Sequence, residues 1–200
     1  AVKPWRILAI TFTNKAADEL KERLEKKLGG AANDIWACTF HSACVRILRR
    51  DAEKLGFPSN FTIYDTSDSM SLAKRIIKDM GLDEKTFSPR SMLTEISRAK
   101  DAQISAKAYL AEARRSGDIR RIHIGEIYSE YMRRMFSAGA MDFDDLLLQT
   151  NILFRDHPDV LEKYRSFFQF VLVDEYQDTN FAQHLIVQRL CEVHRRICVV

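Results

Sequence analysis

The sequence predicts an α/β fold in which a parallel sheet is interrupted by a large all-α insertion. Three observations carry this reading. Apolar runs of strand length lie near both ends, at 7–12, 35–40, 170–173 and 197–200. Helical periodicity follows each of the first three. Between them, residues 65–168 read almost wholly as helix, and strands that alternate with helices pair in parallel.

Ile7-Leu8-Ala9-Ile10-Thr11-Phe12 is a continuous apolar run, β-branched at several places, as expected of a buried parallel strand. Thr13 or Asn14 is placed to cap a helix whose apolar stripe is Ala17, Leu20, Leu24 and Leu28. Lys26 and Lys27 suit its last turn and Gly29-Gly30 stops it. A second strand follows at Ile35–Phe40, then a helix from near Ser42 to Gly56. In the helical block, Asp65 or Thr66 caps a helix running to Gly81, and Ser88-Pro89 is a cap followed by Pro at the first helical position. Further helices are expected at about 105–116, 119–138, 142–155 and 158–167. Phe170–Val173 is the third strand, Asn180 caps a helix to about His194, and Ile197–Val200 is the fourth strand. No internal repeat or low-complexity segment is apparent.

At 200 residues, with 46% hydrophobic and 30% charged, the chain can bury about 70% of its unfolded surface without staples. A net charge of +3 is too small for a histone-like protein, and 12 Phe with 6 Tyr exclude disorder. The charge is uneven. Residues 1–60 carry 11 Lys/Arg against 7 Asp/Glu, residues 61–140 carry 14 against 11, and residues 141–200 carry 6 against 10. A basic front and acidic rear suit a protein holding a polyanion in one place and a metal in another, although solvated helix faces give the same numbers. No apolar run approaches the roughly 18 residues of a membrane span, and the opening Ala1-Val2-Lys3-Pro4-Trp5-Arg6 is no signal peptide. Cys38, Cys44, Cys191 and Cys198 form no CxxC pair and, with apolar neighbours such as Ile197 and Val199, read as buried thiols of a reducing compartment, so a cytoplasmic protein without a membrane partner is expected. The chain opens without Met and closes on a strand, so both ends are expected to have been cut from something larger.

The chemistry concentrates in Val171-Leu172-Val173-Asp174-Glu175-Tyr176-Gln177-Asp178. Functional groups gather at the carboxyl ends of parallel strands. There, one carboxylate can hold Mg²⁺ through its water shell while the next orients or deprotonates an attacking water. A bare Asp-Glu equally opens a solvated turn; the longer string through Thr179-Asn180 is far more specific.

That string resembles motif II (Walker B) of the UvrD/Rep/PcrA-type DNA helicases of superfamily 1. Ala9-Ile10-Thr11-Phe12-Thr13-Asn14-Lys15-Ala16-Ala17 resembles their motif Ia, and Thr39-Phe40-His41-Ser42 the next DNA-contacting motif. Met141-Asp142-Phe143-Asp144-Asp145-Leu146-Leu147 resembles the string before motif II, with Met where the family usually has Leu. The resemblance covers essentially the whole chain. Its nearest branch is the PcrA one, notably through Val45-Arg46-Ile47-Leu48-Arg49-Arg50.

The resemblance implies a partial RecA-like (P-loop NTPase) sheet. Residues 1–41 and 169–200 would belong to domain 1A, and 42–168 to the inserted helical domain 1B. Asp174 would be the Mg²⁺-associated carboxylate, Glu175 the catalytic base for ATP hydrolysis, and Gln177 a residue close to the nucleotide. Thr11, Phe12, Thr13, Asn14, Phe40 and His41 would line a single-stranded DNA track, with Lys15 adding a phosphate contact. Loops after strands offer N–H and hydroxyl donors to phosphates, while an aromatic face stacks on bases without reading them. Core packing at a strand end is the competing role for Phe12 and Phe40, and helix capping for His41. Asp142, Asp144 and Asp145 more simply cap a helix than hold a metal. Arg114-Arg115, Arg120-Arg121 and Arg133-Arg134 face either a duplex or solvent.

No Gly-Lys-Ser/Thr occurs in the chain, so the family's phosphate-cradling GxxxxGK[ST] loop is not among these residues. A sheet without that loop's strand is expected to expose apolar edges. The parent is expected to be an ATP-dependent 3′-to-5′ helicase of repair or replication. Its partners would be single-stranded DNA, single/double-strand junctions, and repair or replication proteins. These 200 residues alone are expected to hold neither ATP nor Mg²⁺ tightly and to be inactive. A non-enzymatic DNA-binding or protein-docking module is the alternative, and a helicase-nuclease subunit of the AddA/RecB type a weaker one.

Overall fold

A computed structural model describes residues 2–200, which divide into two compact units: the chain up to Leu55 together with Gln149–Val200, and Gly56–Leu148. The division was expected at 41/42 and 168/169. It falls further into the block because two helices flanking the block pack within the sheet unit. Ile47 and Leu48 of α2 (Phe40–Asp51) are buried there. At the end of α2, Asp51 accepts hydrogen bonds from Lys163 (2.7 and 2.8 Å) and from the Tyr164 hydroxyl (2.7 Å), both on α8 (Pro158–Phe167).

The first unit is built on β1 (Ile7–Thr11), β2 (Trp36–Thr39), β5 (Phe170–Val173) and β6 (Ile197–Val199), all parallel in the order β2-β1-β5-β6. β1 is central because Leu8, Ala9 and Ile10 are apolar toward both faces and all buried. Leu20 and Leu24 of α1 (Asn14–Leu28) pack with Ala9, Ile35 and Ala37. Trp36 is walled by Phe168 (ring centroids 4.8 Å apart) and by the Arg46 guanidinium 3.7 Å above its ring. β6 is an edge strand, so its Ile197 and Val199 are exposed and so is Cys198, against the expectation of four buried thiols; Cys38, Cys44 and Cys191 are buried. After β5 the chain enters α9 (Phe181–Cys191) through an Asn180–Gln183 capping box.

The second unit holds α3 (Thr66–Asp79), α4 (Pro89–Asp101), α5 (Ala106–Ser116), α6 (Ile119–Ser137) and the start of α7 (Phe143–Asp156), capped at Asp65, Ser88, Ser105 and Asp118. Ile76, Met92, Ile127, Tyr128 and Tyr131 form its core. Two further strands, β3 (Thr62–Ile63) and β4 (Ala140–Met141), pair in parallel where helix or loop was expected. At two residues each they are too short to display a strand period. Among the described residues no helix is long and apolar enough to cross a membrane.

The string resembling the segment before motif II turns out to be a structural junction. Asp142 and Asp145 cap α7 reciprocally: the Asp145 N–H donates to Asp142 Oδ1 (2.8 Å) and the Asp142 N–H to Asp145 Oδ2 (3.1 Å). Lys100 of α4, 1% exposed, places its ammonium between the two carboxylates at 2.7 and 2.8 Å. The Tyr131 hydroxyl donates to Asp142 Oδ2 at 2.8 Å. Burial alone would lower the Lys100 pKa, but Asp145 and Asp142 outweigh it and hold it raised. Burial pushes Asp145 up to about 6, against the pull of Lys100.

Removing the cation while leaving both buried carboxylates costs stability steeply. Lys100→Met is therefore expected to lower the unfolding free energy by about 3–5 kcal/mol at pH 7. The unfolded carboxylates titrate near ~3.9. Without Lys100 the folded ones titrate higher, so the fold keeps protons that the unfolded chain releases. The loss should then shrink as pH falls toward about 4. Urea titrations at several pH values check both the size and the slope.

Candidate functional site

The parallel register brings three loops to one end of the sheet. Thr11 pairs with Thr39, Ile10 pairs with both Cys38 and Val173, and the Asp174 N–H donates to the Ile10 carbonyl at 3.0 Å. The residues leaving β1, β2 and β5 therefore emerge side by side at their carboxyl ends.

The loop after β5 is a tightly held acidic turn. Asp174 and Glu175 are exposed. Asp174 Oδ1 accepts the Glu175 N–H at 3.1 Å, and Glu175 adopts a left-handed conformation, φ +51° and ψ +44°. The Gln177 side-chain amide donates to Glu175 Oε2, so the predicted trio forms one cluster. A short 3-10 turn follows at Tyr176–Asp178, closed by the Asp178 N–H on the Glu175 carbonyl (2.9 Å). The Tyr176 N–H donates to the Val200 carbonyl (2.9 Å), and the Tyr176 hydroxyl lies 2.6 Å from His184 Nδ1 on α9. Sequence reading missed His184, because a lone histidine in a helix carries no signal until the fold sets it against the turn.

Among the described residues no group of three or more His, Cys, Asp or Glu is arranged to hold a metal ion. The donor chemistry at Asp174 nevertheless fits Mg²⁺, which takes one or two carboxylates and completes its shell with water and phosphate oxygens.

β1 and β2 end in matching Thr-Phe pairs, Thr11-Phe12 and Thr39-Phe40, that serve different ends. Thr13 Oγ1 accepts the Ala16 N–H (3.1 Å) and caps α1; Thr39 Oγ1 accepts the Ser42 N–H (3.2 Å) and caps α2. Phe40 is thus the first residue of α2 rather than the last of a strand, and it is 2% exposed. Phe12 is half-buried and packs against it, with ring centroids 5.5 Å apart and planes at 56°. Thr11 is 2% exposed, with its hydroxyl on the Thr13 carbonyl (3.4 Å). Of the track residues expected from sequence, Thr13, Asn14 and Lys15 face solvent, Phe12 and His41 are half-buried, and Thr11 and Phe40 lie beneath them. Phe40 therefore cannot offer a ring face to a base; it supports Phe12. Beside these loops a cleft of about 550 Å³ opens between α1 and α2, where Lys21 and Arg46 are balanced by Asp18 and Glu25.

The arginine runs are largely engaged locally. Arg133 and Arg134 bond Glu130, Arg134 pairs with Asp79 (2.8 Å), Arg115 pairs with Glu112, and Arg120 donates to the Thr86 carbonyl. Lys15 sits 4.0 Å from Glu19 on the open surface, an ion pair of little worth that leaves its ammonium available.

The sheet thus ends in an acidic turn flanked by two polar-aromatic loops. Over residues 1–200 the chain matches the UvrD/REP helicase N-terminal domain, and it belongs to that family. It is 48% identical over 199 residues to the ATP-dependent DNA helicase PcrA of Bacillus subtilis (strain 168), covering 100% of this chain and 26% of that protein. The PcrA proteins of Staphylococcus aureus (strain Mu50) and Leuconostoc citreum are each 45% identical, over 206 and 200 residues, again covering 100% of this chain, and 27% and 26% of theirs. The chain thus spans about a quarter of the length of these relatives.

The burial difference between the paired aromatics is measurable. Phe40→Ala is expected to cost about 3–5 kcal/mol of unfolding free energy, the range for a fully buried Phe. Phe12→Ala should cost clearly less, as urea denaturation of the two variants would register.

Proposed function

We propose that the chain is the part of an ATP-dependent, 3′-to-5′ DNA helicase that joins a nucleotide-hydrolysing edge to a single-stranded DNA track, in a protein of DNA repair or replication. The observation that carries this is the side-by-side emergence of the acidic turn and the two Thr-Phe loops at one end of the sheet. The sheet unit corresponds to domain 1A and the helical unit to the inserted domain 1B. The full protein's partners are single-stranded DNA, single/double-strand junctions, and repair or replication proteins.

Bound with ATP, Mg²⁺ supplies charge neutralisation at the transferring phosphate. Asp174 is the residue that would hold it. Glu175 takes the proton of the attacking water, with its carboxylate steadied by the Gln177 amide. Phe12, raised on Phe40, stacks on a base. Thr13, Asn14, Lys15 and His41 meet the sugar-phosphate backbone with hydroxyl, amide, ammonium and imidazole groups. Stacking of this kind tolerates every base, as translocation along arbitrary sequence demands.

The 200 residues contain no Gly-Lys-Ser/Thr, so they lack the cradle that supplies most charge stabilisation in phosphoryl transfer. By themselves they are proposed to be inactive in ATP hydrolysis and unwinding. In the full-length protein, Glu175→Gln should lower ATP turnover by roughly 10²–10⁴-fold, the range for losing a general base, and leave DNA affinity intact. Phe12→Ala should weaken single-stranded DNA binding by about 1–3 kcal/mol, read by fluorescence anisotropy at fixed salt. Near-normal turnover by Glu175→Gln would remove the assignment of the base.

A further inference from the structure

The acidic turn is strained, and the strain is held from outside it. A non-glycine residue in the left-handed region persists only where its surroundings over-determine it. Among the described residues only Gln103, Glu175 and Arg195 are non-glycine with positive φ. Glu175 alone of the three carries a role in the proposed function.

What holds it is the next residue. The Tyr176 N–H donates to the Val200 carbonyl at 2.9 Å, and its carbonyl accepts the Thr179 N–H (3.2 Å) and hydroxyl (2.8 Å). Those bonds fix the main chain. The side chain is fixed from another element: the phenol lies 2.6 Å from His184 Nδ1, with ring centroids 6.2 Å apart, and both residues are half-buried. His184 stands on the first turns of α9, where its own N–H donates to the Asn180 carbonyl at 2.9 Å. That helix is capped by the Asn180–Gln183 box and tied down by Asn151, whose amide donates to the Ala182 carbonyl at 2.9 Å, and by Arg165, which donates to the Arg189 carbonyl at 2.6 Å. Tyr176 is therefore clamped at its N–H, its carbonyl and its hydroxyl, and only the last clamp runs through a side chain of α9.

We infer that His184 is a positioning residue for the Glu175 carboxylate, acting through the Tyr176 hydroxyl. The inference rests on the reading of Glu175 as the hydrolytic base. With Nδ1 unprotonated the phenol donates to it, and the bond locks the ring of Tyr176 to the helix. Without the bond the ring is free to swing, the turn following Glu175 loosens, and the left-handed residue relaxes toward ordinary backbone. The carboxylate then leaves the position from which it takes a proton, while the loops after β1 and β2, which carry the DNA-facing residues, stay where they are.

The test is steady-state ATP hydrolysis by the full-length protein. His184→Phe keeps the ring's bulk and removes the nitrogen; Tyr176→Phe removes a single oxygen and is the variant least able to disturb folding. Each is expected to lower kcat by roughly 10- to 100-fold, the scale of a mis-set reacting group, with single-stranded DNA affinity unchanged. The double variant should be no worse than either alone, because both remove one interaction. His184→Gln, which restores a polar partner, should recover most of the rate. Unchanged kcat in both single variants, losses that multiply in the double variant, or weakened DNA binding at constant kcat would overturn the inference. Glu175→Gln in the same assay separates the two levels. If it stays active, the reading of the base fails; if it is inactive while the His184 and Tyr176 variants are normal, only the positioning role fails.

Discussion

The sheet unit's chemistry depends on the register of β1 between β2 and β5. With Ile10 level with Cys38 and Val173, Thr11, Thr39 and Asp174 arrive at one end of the sheet together. A slip of one residue on either side would send every side chain of a strand to the opposite face. It would also part the acidic turn from the Thr-Phe loops. Burial enforces the register, since Leu8, Ile10, Val171 and Val173 are each exposed by 2% or less. The loops need no rigidity of their own, because two of them turn at once into helices capped by Thr13 and Thr39.

The same economy explains why Phe12 and Phe40 differ although their sequence contexts match. Capping α2 with Thr39 draws Phe40 into the first helical turn and under the sheet's end, whereas α1 is capped two residues later in the matching frame, at Thr13 rather than Thr11, which leaves Phe12 above it. One aromatic becomes the support and the other the surface. In the helical unit a different solution appears: Lys100, Asp142, Asp145 and Tyr131 join α4, α6 and the start of α7 through buried charge. A buried ion cluster adds little net stability over a well-packed apolar one, but it is unforgiving of losing a member.

Most of the architecture was legible because its elements are long and locally consistent. β5 was placed residue for residue at Phe170–Val173, the caps at Ser88 and Asn180 hold, and the caps offered as Thr13 or Asn14 and as Asp65 or Thr66 fall on Thr13 and Asp65. What escaped is short or non-local. β3 and β4 have no room for a period. The helix expected to reach Gly56 ends at Asp51 and tightens into a 3-10 turn over Ala52–Leu55, at a stretch whose composition is still helical. Of the candidate site, Asp174, Glu175 and Gln177 were readable from one string and do cluster. The burial of Phe40, the Lys100 junction and the His184 contact were not readable, because each depends on a partner distant in sequence.

The central claim is that one end of this sheet serves both nucleotide and DNA. Hydrogen exchange of the full-length protein tests it most directly, with an oligothymidylate and with a non-hydrolysable ATP analogue plus Mg²⁺ added separately. The account predicts that the oligonucleotide slows exchange across residues 12–15 and 40–42, and that the nucleotide slows it across 174–178. Protection by DNA confined to the helical unit, with the loops after β1 and β2 unaffected, would contradict it.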